Sequence, residues 1–157
     1  MTLREAFALG KDLLNQANIE EYETDAWLLL EAAAKCTRND LFLRGNEPLF
    51  KEKEELYKEY LEKRQKRIPV QHITGVQCFM GLDFFVTPDV LCPRLDTEVL
   101  IEEALKRIKP GSSILDMCTG SGCIILSLLH YAKECTGTAV DLSEKALISF
   151  LRFVFVS

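Results

Sequence analysis

A short apolar run that ends in an acid and opens onto a glycine turn constrains this chain more than any other feature: Ile114-Leu115-Asp116-Met117-Cys118-Thr119-Gly120-Ser121-Gly122. It is answered at Ala139-Val140-Asp141, where a second apolar run also ends in an acid. Strand, glycine turn, helix and second strand, with acids at both strand ends, form the layout of a nucleotide-type cofactor site at the carboxyl edge of a parallel sheet. Gly120 and Gly122 permit a sharp turn and a close approach of backbone to ligand. Asp141 is placed to accept hydrogen bonds from ribose hydroxyls. The alternative is an N-terminal cap for the following helix, a role that Ser143 could fill instead. Asp116 reads either as a cofactor-facing acid or as a strand-end residue capping the turn.

The chain changes grammar part-way. Up to residue 67 the pattern is helical. Thr2 with Glu5 makes a capping box for a helix with Leu3, Phe7, Leu13 and Leu14 as core candidates. A second helix starting near Thr24-Asp25 carries Trp27, Leu28, Leu30 and Ala34, and a short piece at 39–43 ends near Gly45. Pro48 is expected to open a long charged helix with Leu49, Leu56, Tyr57, Tyr60 and Leu61 at helical spacing, stopped by Pro69. From Val70 the signals are strand-like. Residues 70–75 and 78–86 suggest a hairpin, and Val99–Ile108 an amphipathic helix. A strand from Ser113, a helix Cys123–Ala132, a strand Thr138–Asp141 and a helix opened by Ser143 complete a β-α-β-α run. This predicts an α/β protein in two parts, a helical domain over 1–68 and the beginning of a parallel sheet over 71–157.

Composition narrows the function classes. The 48% hydrophobic and 27% charged fractions are those of a globular protein. Residues 1–70 hold twelve basic against fourteen acidic side chains and residues 71–157 seven against ten, so neither half has the basic excess of a nucleic-acid binder. No apolar run reaches the ~20 residues of a membrane-spanning helix, and the mixed-charge start is unlike a signal peptide. A cytoplasmic protein is expected. The six cysteines show no CxxC pair, which predicts reduced, small, buried residues and no metal site. His72, on a loop, and His130, on a helix surface, lack the partners of a catalytic base.

The glycine turn departs from the dinucleotide fingerprint: Cys118 stands at its first glycine and Ile125 at its third. D-x-C-T-G-S-G instead resembles the first motif of class I methyltransferases that bind S-adenosylmethionine. The resemblance becomes specific when four stretches are read together, Pro69-Val70-Gln71-His72-Ile73-Thr74-Gly75, Phe79-Met80-Gly81-Leu82-Asp83-Phe84, Val90-Leu91-Cys92-Pro93-Arg94-Leu95-Asp96-Thr97-Glu98 and Asp116–Ile124. In order and spacing they resemble the bacterial release-factor glutamine methyltransferases, also called HemK-like or PrmC. The resemblance implies a helical N-terminal domain that contacts peptide chain release factors, joined to a Rossmann-like class I methyltransferase domain. That domain methylates the side-chain amide of the Gln in a Gly-Gly-Gln motif. It also implies S-adenosylmethionine held by Asp116, Cys118, Thr119, Gly120, Ser121, Gly122 and Asp141, with no metal, no nucleic-acid partner and a monomeric state.

Three departures accompany it. Leu95 and Asp96 stand where the family has Pro and Glu, and Met80 where an aromatic is usual. Arg94, Asp96 and Glu98 read evenly as a ligand mouth or as charges favouring a helix N-terminus. No proline follows Pro110, so the family's Asn-Pro-Pro-Tyr reaction loop is not in this sequence. The chain accordingly reads as a truncated member, inactive as written, with a frameshift near residue 148 accounting for its last residues. The competing reading is a non-catalytic helical module that binds release factors. Phe150–Val156, rich in β-formers, is expected to promote aggregation.

Overall fold

The first helix is closed by the reciprocal cap that its sequence announces. Thr2 Oγ1 accepts from the Glu5 N–H (3.2 Å), and Glu5 Oε2 accepts from the Thr2 N–H (2.8 Å). The computed structural model describes the backbone of residues 1–156 and the side chains through Leu151. Contacts divide it into two compact units, Met1–Thr74 and Gly75–Ser157.

The first unit is five helices: α1 (Leu3–Gln16), α2 (Tyr22–Ala34), α3 (Arg38–Arg44), α4 (Lys51–Gln65) and α5 (Val70–Thr74). Leu3, Leu14, Trp27, Leu30, Tyr57 and Leu61 are buried in one core, with Phe7 packed edge-on against Trp27 (5.9 Å between centroids, 87°). Buried with them is the Asp25 carboxylate, paired with half-buried Arg64, whose Nε donates to Oδ2 at 2.7 Å. Two expectations are corrected here. Pro48 does not open α4; it bridges to Thr2, and Phe50 caps the helix, which ends at Gln65, short of Pro69. Residues 70–74 form a helix, not a strand. The Pro69 carbonyl accepts from the His72 and Ile73 N–H groups, and Val70 and Ile73, three apart, bury one helical face in the core. His72 is therefore helical rather than on a loop.

Gly10 sets how closely α1 meets α4. A Cβ there would collide with the Tyr57 hydroxyl, come within 2.9 Å of its ring and within 3.2 Å of Ala26 Cβ. The same hydroxyl donates to the Ala26 carbonyl at 3.1 Å.

The second unit starts with a tight antiparallel hairpin, β1 (Val76–Phe79) and β2 (Leu82–Phe85), instead of one spanning residues 70–86. Met80 and Gly81, at φ +51° and +73°, make its two-residue turn, the left-handed pair that matches strand twist. Then come α6 (Asp96–Leu105), β3 (Ser113–Met117), α7 (Cys123–Tyr131), β4 (Thr136–Val140) and α8 (Glu144–Val156). β3 and β4 are parallel, from Ser113 opposite Thr136 to Met117 opposite Val140. The architecture is the expected α/β one: helices, then the start of a Rossmann-like parallel sheet. The β-favouring window at 150–156 is helical instead. Ala146, Phe150 and Leu147, Leu151 recur at i, i+4, and the Ser143 hydroxyl caps the first turn through the Ala146 N–H (3.3 Å). Its side chains from Arg152 on, and with them the expected aggregation surface, lie outside the described residues.

Two outcomes are expected. Gly10→Ala should destabilise the chain by about 1–3 kcal/mol through overpacking, and by less in a Tyr57→Phe background, where the colliding hydroxyl is gone; urea unfolding of the four variants checks this. Glu54, bonded to Lys58 Nζ and to the Met1 ammonium (2.6 Å each), has its carboxyl lowered from 4.5 to about 2, chiefly by Lys58. A depressed carboxylate contributes stability that is complete above pH 4.5 and is lost as pH falls towards about 2. Glu54→Gln should therefore flatten the acid limb of the stability profile in that window, read by circular dichroism.

Candidate functional site

The parallel register brings Met117 and Val140 level, so Asp116, just before one strand end, and Asp141, just past the other, flank one sheet edge. The turn between β3 and α7 is left-handed at Cys118 (φ +62°), Gly120 (+57°) and Gly122 (+80°). At Gly122 packing dictates the residue, since a Cβ would run into the Phe150 ring and sit 3.0 Å from Leu126 Cδ1. At Gly120 a Cβ would meet nothing within 4 Å, so the turn faces open space there. Cys118 carries its side chain into the left-handed region, at a cost of about 1–2 kcal/mol that glycine would not incur.

Hydrogen bonds fix both acids. The buried Thr119 hydroxyl donates to Asp116 Oδ2 at 2.7 Å, and the Thr119 N–H donates to the Val140 carbonyl at 3.0 Å, stitching the turn to β4. Asp141 Oδ2 accepts from the Gly120 N–H (2.8 Å) and Oδ1 from the Ser143 N–H (2.9 Å). These amides, Ser143's foremost and Gly120's next, hold the Asp141 carboxyl below the usual carboxylate range. It is thus ionised at neutral pH. An ionised carboxylate has about four acceptor sites, so capacity remains on both oxygens. Ser121 is buried beside Cys123, whose thiol burial pushes up. Two carboxylates beside an open glycine turn suit a ligand that brings a cation and hydroxyl donors.

The remaining candidates separate from this edge. Arg94 and Asp96 pair at 3.2 Å on the surface. Glu98 instead accepts from the Met80 N–H at 2.7 Å, and Tyr131, at the end of α7, donates to the Met80 carbonyl at 2.6 Å. Nothing in the local pattern marks this grip on the hairpin turn, because both partners come from helices remote in sequence. His130 is exposed and edge-on to Tyr131. All six cysteines are free, but none is buried as expected, and Cys78 and Cys118 are exposed: one lies on a two-stranded hairpin, the other on the turn. Among the described residues no group of His, Cys, Asp or Glu could hold a metal ion, and no helix is long and apolar enough to cross a membrane.

Residues 5–75 match the family of the PrmC N-terminal domain. The release factor glutamine methyltransferase of Moorella thermoacetica is 41% identical over 94% of this chain and 53% of that protein. Those of Geobacter sulfurreducens (36%, over 93% of the chain and 51% of the relative) and Caulobacter vibrioides (37%, over 94% and 52%) are similar. This chain is a relative of the release factor glutamine methyltransferases. It spans about half the length of the curated relatives it matches. The match runs through the glycine turn and Asp141 as well as the helices, since 94% of the chain is covered.

Proposed function

We propose that this chain is the docking and cofactor-holding part of a protein-glutamine N-methyltransferase that acts in the cytoplasm on peptide chain release factors. Its substrate is the side-chain amide of the Gln in a Gly-Gly-Gln motif, and its cofactor is S-adenosylmethionine. The observation that carries this reading is the tie from the Gly120 N–H to Asp141 Oδ2, which joins a glycine turn to the neighbouring strand end, in a chain related throughout to enzymes named for that activity.

The residues fit the cofactor. Asp141 keeps acceptor capacity for a ribose diol. Asp116 and the backbone of Cys118, Thr119 and Gly120 offer negative and carbonyl character to a methionyl ammonium, while Ser121 and Gly122 close the turn onto α7. Bound there, the cofactor supplies an electrophilic methyl group. The chain's own residues bind and orient; they do not activate the amide. A carboxamide nitrogen is a poor nucleophile because its lone pair is delocalised into the carbonyl. Orienting it takes acceptors for its hydrogens, positioned by groups worth several kcal/mol. The Asn-Pro-Pro-Tyr stretch that supplies them in the family is not in residues 1–157. A second reading, a non-catalytic module that binds release factors, draws on the first unit, whose buried core runs from Leu3 to Ile73 within five helices.

Two measurements test this. Asp141→Ala should weaken S-adenosylmethionine binding about ten- to a hundredfold, the loss of charged-acceptor hydrogen bonds of about 1.5–3 kcal/mol. Calorimetry that finds NAD bound tightly and S-adenosylmethionine not at all would reverse the cofactor assignment. Residues 1–157 alone should transfer no radiolabelled methyl group to a release factor, whereas a chain carrying the further strands and an Asn-Pro-Pro-Tyr loop should. Equal transfer by both would remove the argument from amide orientation.

A further inference from the structure

Thr119 has every one of its polar groups engaged by the protein. Its N–H donates to the Val140 carbonyl at 3.0 Å, and its hydroxyl donates to Asp116 Oδ2 at 2.7 Å. Its carbonyl accepts from the Gly122 N–H at 2.8 Å, which leaves that oxygen one lone pair. The residue is 6% exposed. A hydroxyl sealed in this way, with its one proton already donated, has no donor left for a molecule lying over the turn.

The partner shows what the bond accomplishes. Asp116 is buried, and the Thr119 hydroxyl is its only hydrogen-bond donor among the described residues. Asp116 Oδ1 takes no such bond there, yet it is not one of the buried polar atoms left without a partner, so it meets solvent. The carboxylate therefore has one oxygen turned inward and one turned outward. Rotation of an aspartate carboxylate about its last bond is otherwise broad, and a short charge-assisted bond to the inner oxygen fixes it. The left-handed Cys118 (φ +62°) turns the chain between the two residues, and the bond to Val140 holds Thr119 where its hydroxyl meets the acid.

We propose that Thr119 is a positioning residue for the cofactor's ammonium: its side chain does not touch the cofactor but holds Asp116 with Oδ1 presented to it. This inference rests on the S-adenosylmethionine reading above and takes the Thr119 hydroxyl out of the groups that meet the ligand. The bond acts twice. It orders the carboxylate before binding, so less freedom is lost when the ammonium arrives. It also satisfies the inner oxygen, which would otherwise be left in the interior unpaired.

The test uses the full 157-residue chain and calorimetry with two ligands, S-adenosylmethionine and methylthioadenosine, which keeps the base and ribose but has no ammonium. Thr119→Val removes the donor and keeps the branched shape. It should weaken S-adenosylmethionine binding about tenfold or more and change methylthioadenosine binding by no more than a factor of about two. Should it also lower the urea midpoint, unchanged methylthioadenosine binding still reports an intact turn. Thr119→Ser, which keeps the donor, should restore S-adenosylmethionine binding, and Thr119→Val in an Asp116→Ala background should cost nothing further, because the group it acts through is gone. Equal weakening of both ligands by Thr119→Val would make the residue a strut of the turn and overturn the proposal. Undiminished S-adenosylmethionine binding, failure of Thr119→Ser to restore it, or an additive loss with Asp116→Ala would overturn it as well, and each would leave the cofactor reading standing. A wild-type chain that binds neither ligand would overturn the cofactor reading and this inference with it.

Discussion

Five parallel backbone pairs between β3 and β4 set the height of everything in the second unit that could meet a ligand. A shift of one residue would turn the side chains of a strand to its opposite face and part Asp116 from Asp141. With the register as it is, the turn after β3 comes within reach of the end of β4. Two backbone amides, those of Thr119 and Gly120, then bond across the gap. Asp141 is held from both sides and ionised, so the edge keeps a fixed negative pole whether or not anything is bound. That rigidity is what a binding site needs, because an acid already ordered by the protein loses little freedom when a ligand arrives.

The first unit depends on a different constraint, the closeness of its helices. Gly10 lets Tyr57 approach α1, and the Tyr57 hydroxyl satisfies the Ala26 carbonyl from within the core. Asp25 brings a carboxylate into the same interior, where half-buried Arg64 pairs with it. Such a pair contributes little net stability over an apolar replacement, yet removing one partner alone leaves a buried charge and is costly.

What the sequence made legible follows from how local the signal is. Thr2 and Glu5 lie one helical turn apart, so their cap is readable directly. The glycine turn and its two acids are readable because strand, turn and helix follow in order. Residues 70–74 carry no such local signal, because Val70, Ile73 and the following Gly75 suit a strand as well as a short helix. The choice is made by packing against α2 and α4 and by the Pro69 carbonyl. The bond from Gly120 to Asp141 joins positions whose importance is visible, but which oxygen meets which amide is decided only in three dimensions. The Asp25–Arg64 pair has no local signature at all, since its residues lie on α2 and α4, separated in sequence by an intervening helix.

The grip on the Met80 turn has a consequence for how freely this protein can change. Glu98 and Tyr131 hold the peptide groups of residue 80, not its side chain. The hairpin is therefore anchored by atoms that every non-proline residue possesses. An aromatic can give way to methionine at that position without moving the hairpin, provided that the newcomer tolerates a left-handed backbone. Drift is thus channelled: position 80 can vary while the anchoring burden falls on positions 98 and 131, where a single substitution would remove one of the two bonds.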